Sequence, residues 1–413
     1  MSAHPVGPAG GRPTVAHADF DQAPFLVIWE TTQACDLACL HCRACAQPNR
    51  DPLELSTGEA RRLIDDVRAL GNPLFVLTGG DPLKRPDTLP LVEYAASTGL
   101  RVAMTPSGTP LMTPEVLRAL RDAGLARLAV SVDGATAASH DAFRGVRGSF
   151  DWTLRMLREA QRIGLSTQVN TTISRYNVAE LDALIALMSD LGITLWSVFF
   201  LVPTGRAQAR DIVSPDEIER VMERLYALSL TAPFDIKTTA APHYRRVTLQ
   251  QQRAARRAGD ADTIAGGIGF SLADGIGRGR SVNDGSGFVF ISHRGEIFPS
   301  GFLPVSAGNV RTDSLGDVYR GHPMFRALRD PDRLHGKCGA CEYRTVCGGS
   351  RARAYAMTGD WLEADPFCAY MPPRYERMVE QGEAEEPDVY FARRIAGWGL
   401  DVFARREKRA GAS

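Results

Sequence analysis

No stretch of about 18 consecutive apolar residues occurs in the chain, so a membrane-spanning helix is not expected. Net charge is lacking too: 48 basic side chains balance 48 acidic ones over 413 residues. Nucleic acids and anionic membranes attract proteins through a basic excess, and neither is an expected partner here. The opening MSAHPVGPAGGRPTVAHADF has no apolar core of signal-peptide length and reads as a flexible leader. Familiar catalytic signatures are missing as well: no Walker-type phosphate loop, no HExxH pair, no GxGxxG after a strand and no nucleophile elbow. Finally, no cysteine lies between Cys45 and Cys338. The expected compartment is the reducing cytoplasm, where clustered cysteines bind metal or do chemistry more often than they form disulfides.

What is present, from residue 24 to about 205, is a repeat. Short β-rich runs recur: PFLVIWE (24–30), LFVLTGG (74–80), LRVAMTPSG (100–108), LARLAVSVDG (125–134), STQVNTTI (166–173) and TLWSVFFLVP (194–203). Their near-continuous apolar character suits strands covered on both faces. Helix punctuation lies between them. Ser56 with Glu59 forms a capping box, and Thr113-Pro114 and Ser214-Pro215 each place a cap before a first-turn proline. Gly71, Gly99, Gly124, Gly164 and Gly192 stand where a helix should stop. Repeated βα units predict parallel strands with right-handed crossovers, in an open sheet or a barrel. In either form the chemistry belongs at the C-terminal strand ends. The short motifs all fall there: four cysteines after the first strand, TGGDP after the second, TPSG after the third, SVDG after the fourth and VPTGR after the sixth.

Beyond about residue 230 the pattern breaks. Residues 258–287 are rich in glycine and charge and read as a long loop, a place for substrate contacts. GFVFISHRGEIFPSG follows as a hairpin turning at His293-Arg294-Gly295. Residues 383–413 make a charged tail, helical around FARRIAGWGLDVFARREKR, with a solvated basic end.

The eight cysteines form two groups. Cys35-x3-Cys39-x2-Cys42 offers three thiolates on one loop, and three ligands on a four-iron cluster leave one iron open to a cofactor or substrate. A zinc knuckle is the alternative. Cys45, three residues on, is an extra thiol best read as an idle loop residue. Cys338-x2-Cys341-x5-Cys347, with Cys368 after twenty more residues, offers four thiolates. Those close a cluster fully, for electron transfer or structure, and a structural zinc ion satisfies the same spacing.

CxxxCxxC after the first strand of a βα repeat resembles the signature of radical S-adenosylmethionine (radical SAM) enzymes. The resemblance implies a [4Fe-4S] cluster on Cys35, Cys39 and Cys42 whose open iron chelates S-adenosylmethionine. One electron then cleaves the sulfonium to a 5′-deoxyadenosyl radical that abstracts hydrogen from substrate. Gly79, Gly80, Asp81 and Pro82 resemble the family's GGEP segment, which binds the cofactor's amino group, with Asp81 replacing the usual Glu. Ser131 and Asp133 match strand-four contacts to the methionine carboxylate and ribose hydroxyls. Ser107 and Asn170 are weaker candidates. Arg206, in the turn that resembles the adenine contact, matches a partner for the carboxylate. His41 occupies the position of an aromatic residue near adenine. The second group resembles a SPASM or twitch domain, which implies one auxiliary [4Fe-4S] cluster on Cys338, Cys341, Cys347 and Cys368. CGGSRARAYAMTGD resembles both peptide maturases and enzymes of alternative haem synthesis. Full SPASM domains carry more cysteines, and here Ser300 and Ser350 stand in their places.

The expected fold is therefore α/β: a partial (β/α)6 TIM-like barrel followed by a small cysteine-rich α+β auxiliary-cluster domain. The expected division is a leader (1–22), the core barrel (23–230), a glycine-rich linker or substrate loop (231–287), the auxiliary domain (288–382) and a charged helical tail (383–413). The expected function is a radical SAM oxidoreductase acting on a ribosomal peptide or protein. Modification of a haem-type tetrapyrrole side chain is the alternative, and no residue separates the two. A non-catalytic, zinc-stabilised binding protein is the alternative from another class. Expected partners are S-adenosylmethionine, a peptide or small-molecule substrate, and a reducing electron donor such as a flavodoxin or ferredoxin.

Overall fold

A computed structural model describes residues 19–259 and 282–395 of the chain. Six βα units come first: β1 (Leu26–Glu30) and α1 (Thr57–Ala69), β2 (Leu74–Thr78) and α2 (Thr88–Ser97), β3 (Arg101–Met104) and α3 (Pro114–Asp122). Then come β4 (Leu125–Ser131) with α4 (Ala137–Arg144) and α5 (Ser149–Arg162), β5 (Ser166–Ile173) with α6 (Leu181–Asp190), and β6 (Leu195–Phe200) with α7 (Pro215–Ser229). A seventh unit follows where the pattern was expected to break: β7 (Asp235–Thr239) and α8 (His243–Arg257). The sequence hides β7 because DIKTT is mostly polar and short.

The remaining elements are β8 (Phe288–Ile291), β9 (Glu296–Phe298), β10 (Gly308–Asn309), α9 (Leu315–Gly321), α10 (Pro323–Arg329), α11 (Gly336–Ala340), α12 (Arg351–Thr358), α13 (Pro373–Glu380) and α14 (Pro387–Ile395). The hairpin forms as expected, with its turn at His293 to Gly295. Most of the glycine-rich stretch 258–287, the leader and the basic end of the tail lie outside the described residues.

One sheet holds all ten strands, in the order β10-β9-β8-β1-β2-β3-β4-β5-β6-β7. From β8 to β7 every neighbouring pair is parallel, with Leu26 opposite Leu74 on one side of β1 and opposite Phe288 on the other. The cysteine-rich C-terminal part therefore does not build a sheet of its own. It lends β8 to the barrel sheet, and β9 and β10 continue it antiparallel.

Local sequence explains where the helices begin and end. Ser56 and Ser214 cap α1 and α7 with complete capping boxes, and Thr113 caps α3 through the Val116 N–H. The five stop glycines all have positive φ, from +62° at Gly192 to +114° at Gly71, a region open to glycine and strained for other residues. Along β5, Thr167, Val169, Thr171 and Ile173 are buried against the helices, whereas Ser166, Gln168, Asn170 and Thr172 are half-buried on the inner face. Trp196, fully buried on β6, donates its Nε1 hydrogen to Thr171 Oγ1 at 2.9 Å, so this ring keeps its polar atom paired. Among the described residues, no helix is long and apolar enough to cross a membrane.

Candidate active site and cysteine centres

The first cysteine loop leaves β1 at Glu30 and is fixed by the TGGDP segment after β2. Gly80 N–H donates to Thr32 O and Asp81 N–H to Ala34 O, each at 2.7 Å. A Cβ on Gly79 would stand 2.3 Å from Thr32 O, and one on Gly80 2.3 Å from Ala34 O. Glycine is required here because two backbones touch. Asp81 is wholly buried: its carboxylate accepts from Leu83 N–H at 3.1 Å, capping the short turn that opens at Pro82, and from Thr109 Oγ1 at 3.0 Å. Burial pushes its pKa up in spite of these donors. These bonds tie the Asp81 side chain to the turn and to Thr109, and so fix the backbone of the TGGDP segment beside the cysteine loop.

Cys35 and Cys39 are buried side by side with Leu37, and half-buried Cys42 packs against them. Each sulfur has a donor or hydroxyl beside it. Cys35 Sγ accepts from Leu37 N–H at 3.3 Å and lies 3.2 Å from Ser107 Oγ; Cys42 Sγ accepts from Ala46 N–H at 3.4 Å. Arg144, at the end of α4, donates to Cys39 Sγ at 3.6 Å. Burial nevertheless pushes the Cys35 thiol up, so an apolar loop without metal holds a neutral thiol there. Cys45 is exposed and has φ +49°, outside the buried trio.

Asp133 is also fully buried. It accepts from Thr172 N–H at 2.6 Å and forms a close ion pair with Arg144. Burial alone would raise its pKa; the Arg144 guanidinium, His41, His140 and the Thr172 N–H together outweigh that and hold it below the usual range. Asp133 also holds Arg144 where that side chain reaches Cys39. Ser131, half-buried at the end of β4 opposite Asn170, remains open to the inner face. Arg206 packs on the same loop, its N–H bonding Cys42 O at 3.0 Å and its Nε bonding Cys39 O at 2.9 Å. His41 stacks on Phe143 with ring centres 4.2 Å apart, and burial brings its pKa down to about 4, so the ring is neutral. Arg206 Nη2 and His41 Nδ1 are buried without hydrogen-bond partners. Arg206 Nη2 can only donate, so it calls for an acceptor from outside the chain, which fits a cofactor carrying a carboxylate.

The second centre is built around α11 and α12. Cys338, Cys341, Cys347 and Cys368 line one cavity together with His243 and Arg246 from the first turn of α8. Gly348 and Gly349 both have φ +68°, and a Cβ on Gly349 would meet Cys338 Sγ at 3.0 Å and Arg351 Nη2 at 2.6 Å. The CGG turn leaves room for a group between the sulfurs. Burial raises the Cys338 and Cys347 thiols and takes Cys341 up to about 12. Burial acts the same way on Cys368, but His243, Lys337 and Arg246 outweigh it and bring that thiol to about 6. Asp365 anchors the wall: it pairs with Arg353 at 2.7 Å, lies 3.3 Å from His243 Nε2 and accepts from Ser350 N–H at 3.0 Å.

Sulfur spacing bears on which metal fits. Among the described residues, one trio of metal-ligating atoms lies wholly within 4.8 Å, that of His335, Asp360 and Glu363; no three cysteine sulfurs meet that limit. A single zinc ion with Zn–S bonds of about 2.3 Å draws its sulfurs to about 3.8 Å from each other. Three functional-looking side chains were invisible in the sequence. Arg43, inside the cysteine loop, pairs with Glu30 at 2.6 Å and lies over the Phe290 ring of β8. Arg144 and His243 carry no motif, and only the fold brings them to sulfur.

Residues 29–188 match the radical SAM superfamily. The AdoMet-dependent heme synthase of Methanosarcina barkeri is 42% identical over 350 residues, covering 85% of this chain and 97% of that protein. The chain belongs to the radical SAM superfamily. It is an enzyme of that superfamily, and the reading as a non-catalytic zinc-stabilised binding protein falls. Radical SAM enzymes use S-adenosylmethionine with a [4Fe-4S] cluster. A mycofactocin maturase of Mycobacterium ulcerans is 32% identical, covering 90% of this chain and 94% of its own. Streptococcus suis SuiB, solved with its precursor peptide, shares the fold at a TM-score of 0.63 and 15% identity, covering 84% of this chain and 76% of SuiB.

Proposed function

We propose that this radical SAM enzyme modifies a side chain of a haem-type tetrapyrrole, rather than the ribosomal peptide or protein expected from the sequence alone. The observation that carries the reading is the 42% identity to a haem synthase along 97% of its length, against 32% to a peptide maturase. Cys35, Cys39 and Cys42 hold the catalytic [4Fe-4S] cluster, and Cys338, Cys341, Cys347 and Cys368 hold an auxiliary one. When loaded with S-adenosylmethionine and reduced by one electron, the first centre supplies a 5′-deoxyadenosyl radical; the second supplies electron transfer.

The chain's own residues bind, orient and exclude water. Leu37 N–H, Ala46 N–H and Arg144 direct donors at three thiolates, which offsets negative charge in a buried loop. Gly79 and Gly80 let the TGGDP segment clamp that loop. Arg206 Nη2 and Ser131 stand open to the cofactor's polar groups. Around the second centre His243, Arg246 and Lys337 place positive charge, which favours an added electron.

Anaerobic reconstitution tests this reading. The chain should bind about eight irons, form 5′-deoxyadenosine with S-adenosylmethionine and dithionite, and convert an iron porphyrin bearing propionate side chains to a product of lower mass. Conversion of a precursor peptide with no change to the porphyrin would overturn the substrate assignment. Four irons that resist removal of the second cysteine group, with zinc in its place, would overturn the auxiliary cluster.

A further inference from the structure

Beside the first cysteine loop, exposed apolar side chains meet arginines that, among the described residues, form no close ion pair. Leu40, between Cys39 and His41, is 43% exposed, and Tyr176, just past β5, is 52% exposed. They are contiguous: Leu40 N–H donates to Phe143 O at 3.0 Å, and the Phe143 ring lies 5.5 Å from Tyr176. Arg147 follows Val146, which packs on the cysteine trio. Arg175 N–H donates to Asp211 O at 2.9 Å, which brings Arg210 alongside. Arg147, Arg175 and Arg210 are all exposed and, among the described residues, form no ion pair. Nearby carboxylates are engaged: Asp36 by Lys84, Asp141 by the Gly148 and Phe150 N–H groups, and Glu180 by Ala135 N–H and Ser139. Glu217 is bonded to Ser214 and lies within electrostatic reach of Arg175, so Glu217 and Asp211 stand against three arginines. In a chain of zero net charge this is a local positive field around an apolar centre.

Rings lead inward from the patch. Tyr176 meets Phe143 at 5.5 Å, and Phe143 stacks on His41 at 4.2 Å and 9°. His41 itself sits between Cys39 and Cys42 in the sequence, so a short path runs from solvent to the sulfurs.

We propose that this patch docks a small acidic electron-carrier protein, which passes one electron along the Tyr176, Phe143 and His41 rings to the first cysteine centre. The carrier is oxidised by one electron and the centre reduced by one; no bond is made or broken in that step. The inference rests on the radical chemistry proposed above and is independent of which substrate is modified. A transient redox encounter suits a small apolar contact inside a charged rim, because steering governs its rate.

Formation of 5′-deoxyadenosine by the reconstituted full chain is measured with two reductants: photoreduced flavodoxin and dithionite. The variant carries Arg147→Glu, Arg175→Glu and Arg210→Glu; its binding of flavodoxin, read by surface plasmon resonance, should weaken about tenfold or more, and unchanged binding overturns the docking site. Flavodoxin-driven formation should fall about tenfold or more while dithionite-driven formation stays unchanged, and added salt should slow only the flavodoxin-driven reaction of the unaltered chain. An equal fall with both reductants, or no fall with either, overturns the docking site. So does an unaltered chain that dithionite activates and flavodoxin does not. No product even with dithionite would instead overturn the radical assignment, and this inference with it.

Discussion

Arg144 shows how much one side chain can carry. It sits at the last turn of α4, is held by Asp133, and reaches Cys39 Sγ. Asp133 is shut off from solvent and Arg144 nearly so, which makes the buried acid costly without its partner. A comparable network ties the cysteine loop to the C-terminal part: Glu30 binds Arg43 and, at 2.8 Å, His293 Nδ1, whose Nε2 lies 3.3 Å from Asp51. Burial pulls the His293 pKa down, but the two carboxylates outweigh it and hold the ring above its ordinary value. A raised folded value means that the stabilisation is complete below about pH 6.5 and fades as pH climbs through the folded pKa. His293→Gln should therefore lose about 2 kcal/mol at acidic pH, with the gap to the unaltered chain closing on the alkaline side. Urea unfolding of both proteins across that range measures the gap; a constant difference would refute the linkage.

At the scale of elements, the CGG turn before α12 is the critical piece of the second centre. Gly349→Ala must adopt φ +68° with a methyl 3.0 Å from Cys338 Sγ. The backbone cost alone is about 1–2 kcal/mol, and the methyl intrudes on the space between the sulfurs. Iron content should drop from about eight to about four per chain, with deoxyadenosine formation retained. Iron analysis beside product assay reads both; full iron in the variant would show that the turn can shift.

Elements also reveal what the sequence made legible. Capping boxes, stop glycines and the hairpin turn are local chemistry, and each fell at its expected residue. The first six strands were readable for the same reason. β7 was not, because Asp235 and Lys237 dilute its apolar signal, and without β7 nothing pointed to His243 at the start of α8. Asp81 and Asp133 were legible as site residues through the resemblance, but their burial and their bonds to Thr109 and Arg144 were not. The cysteine groups were legible by spacing, whereas Arg43 and Arg144 reach their places only through tertiary folding.

For the whole molecule, the main departure from two separable domains is the parallel pairing of β1 with β8. Val27, Trp29, Val289 and Ile291 share the central core. A fragment ending at residue 259 would leave β1 as an open, apolar edge and uncover that core. It should be insoluble or expanded, while the full chain unfolds as one cooperative unit. Expression of the fragment with circular dichroism and sedimentation checks this; a folded, monomeric fragment would contradict it.

The same strand order has a consequence at birth. β1 emerges from the ribosome early, yet its partner on one side begins only at Phe288. At about 5–20 residues per second, tens of seconds pass before that strand is synthesised. For that interval the nascent chain holds a sticky margin beside three reduced thiols, and a holding chaperone or a metal-delivery factor would find its opportunity there.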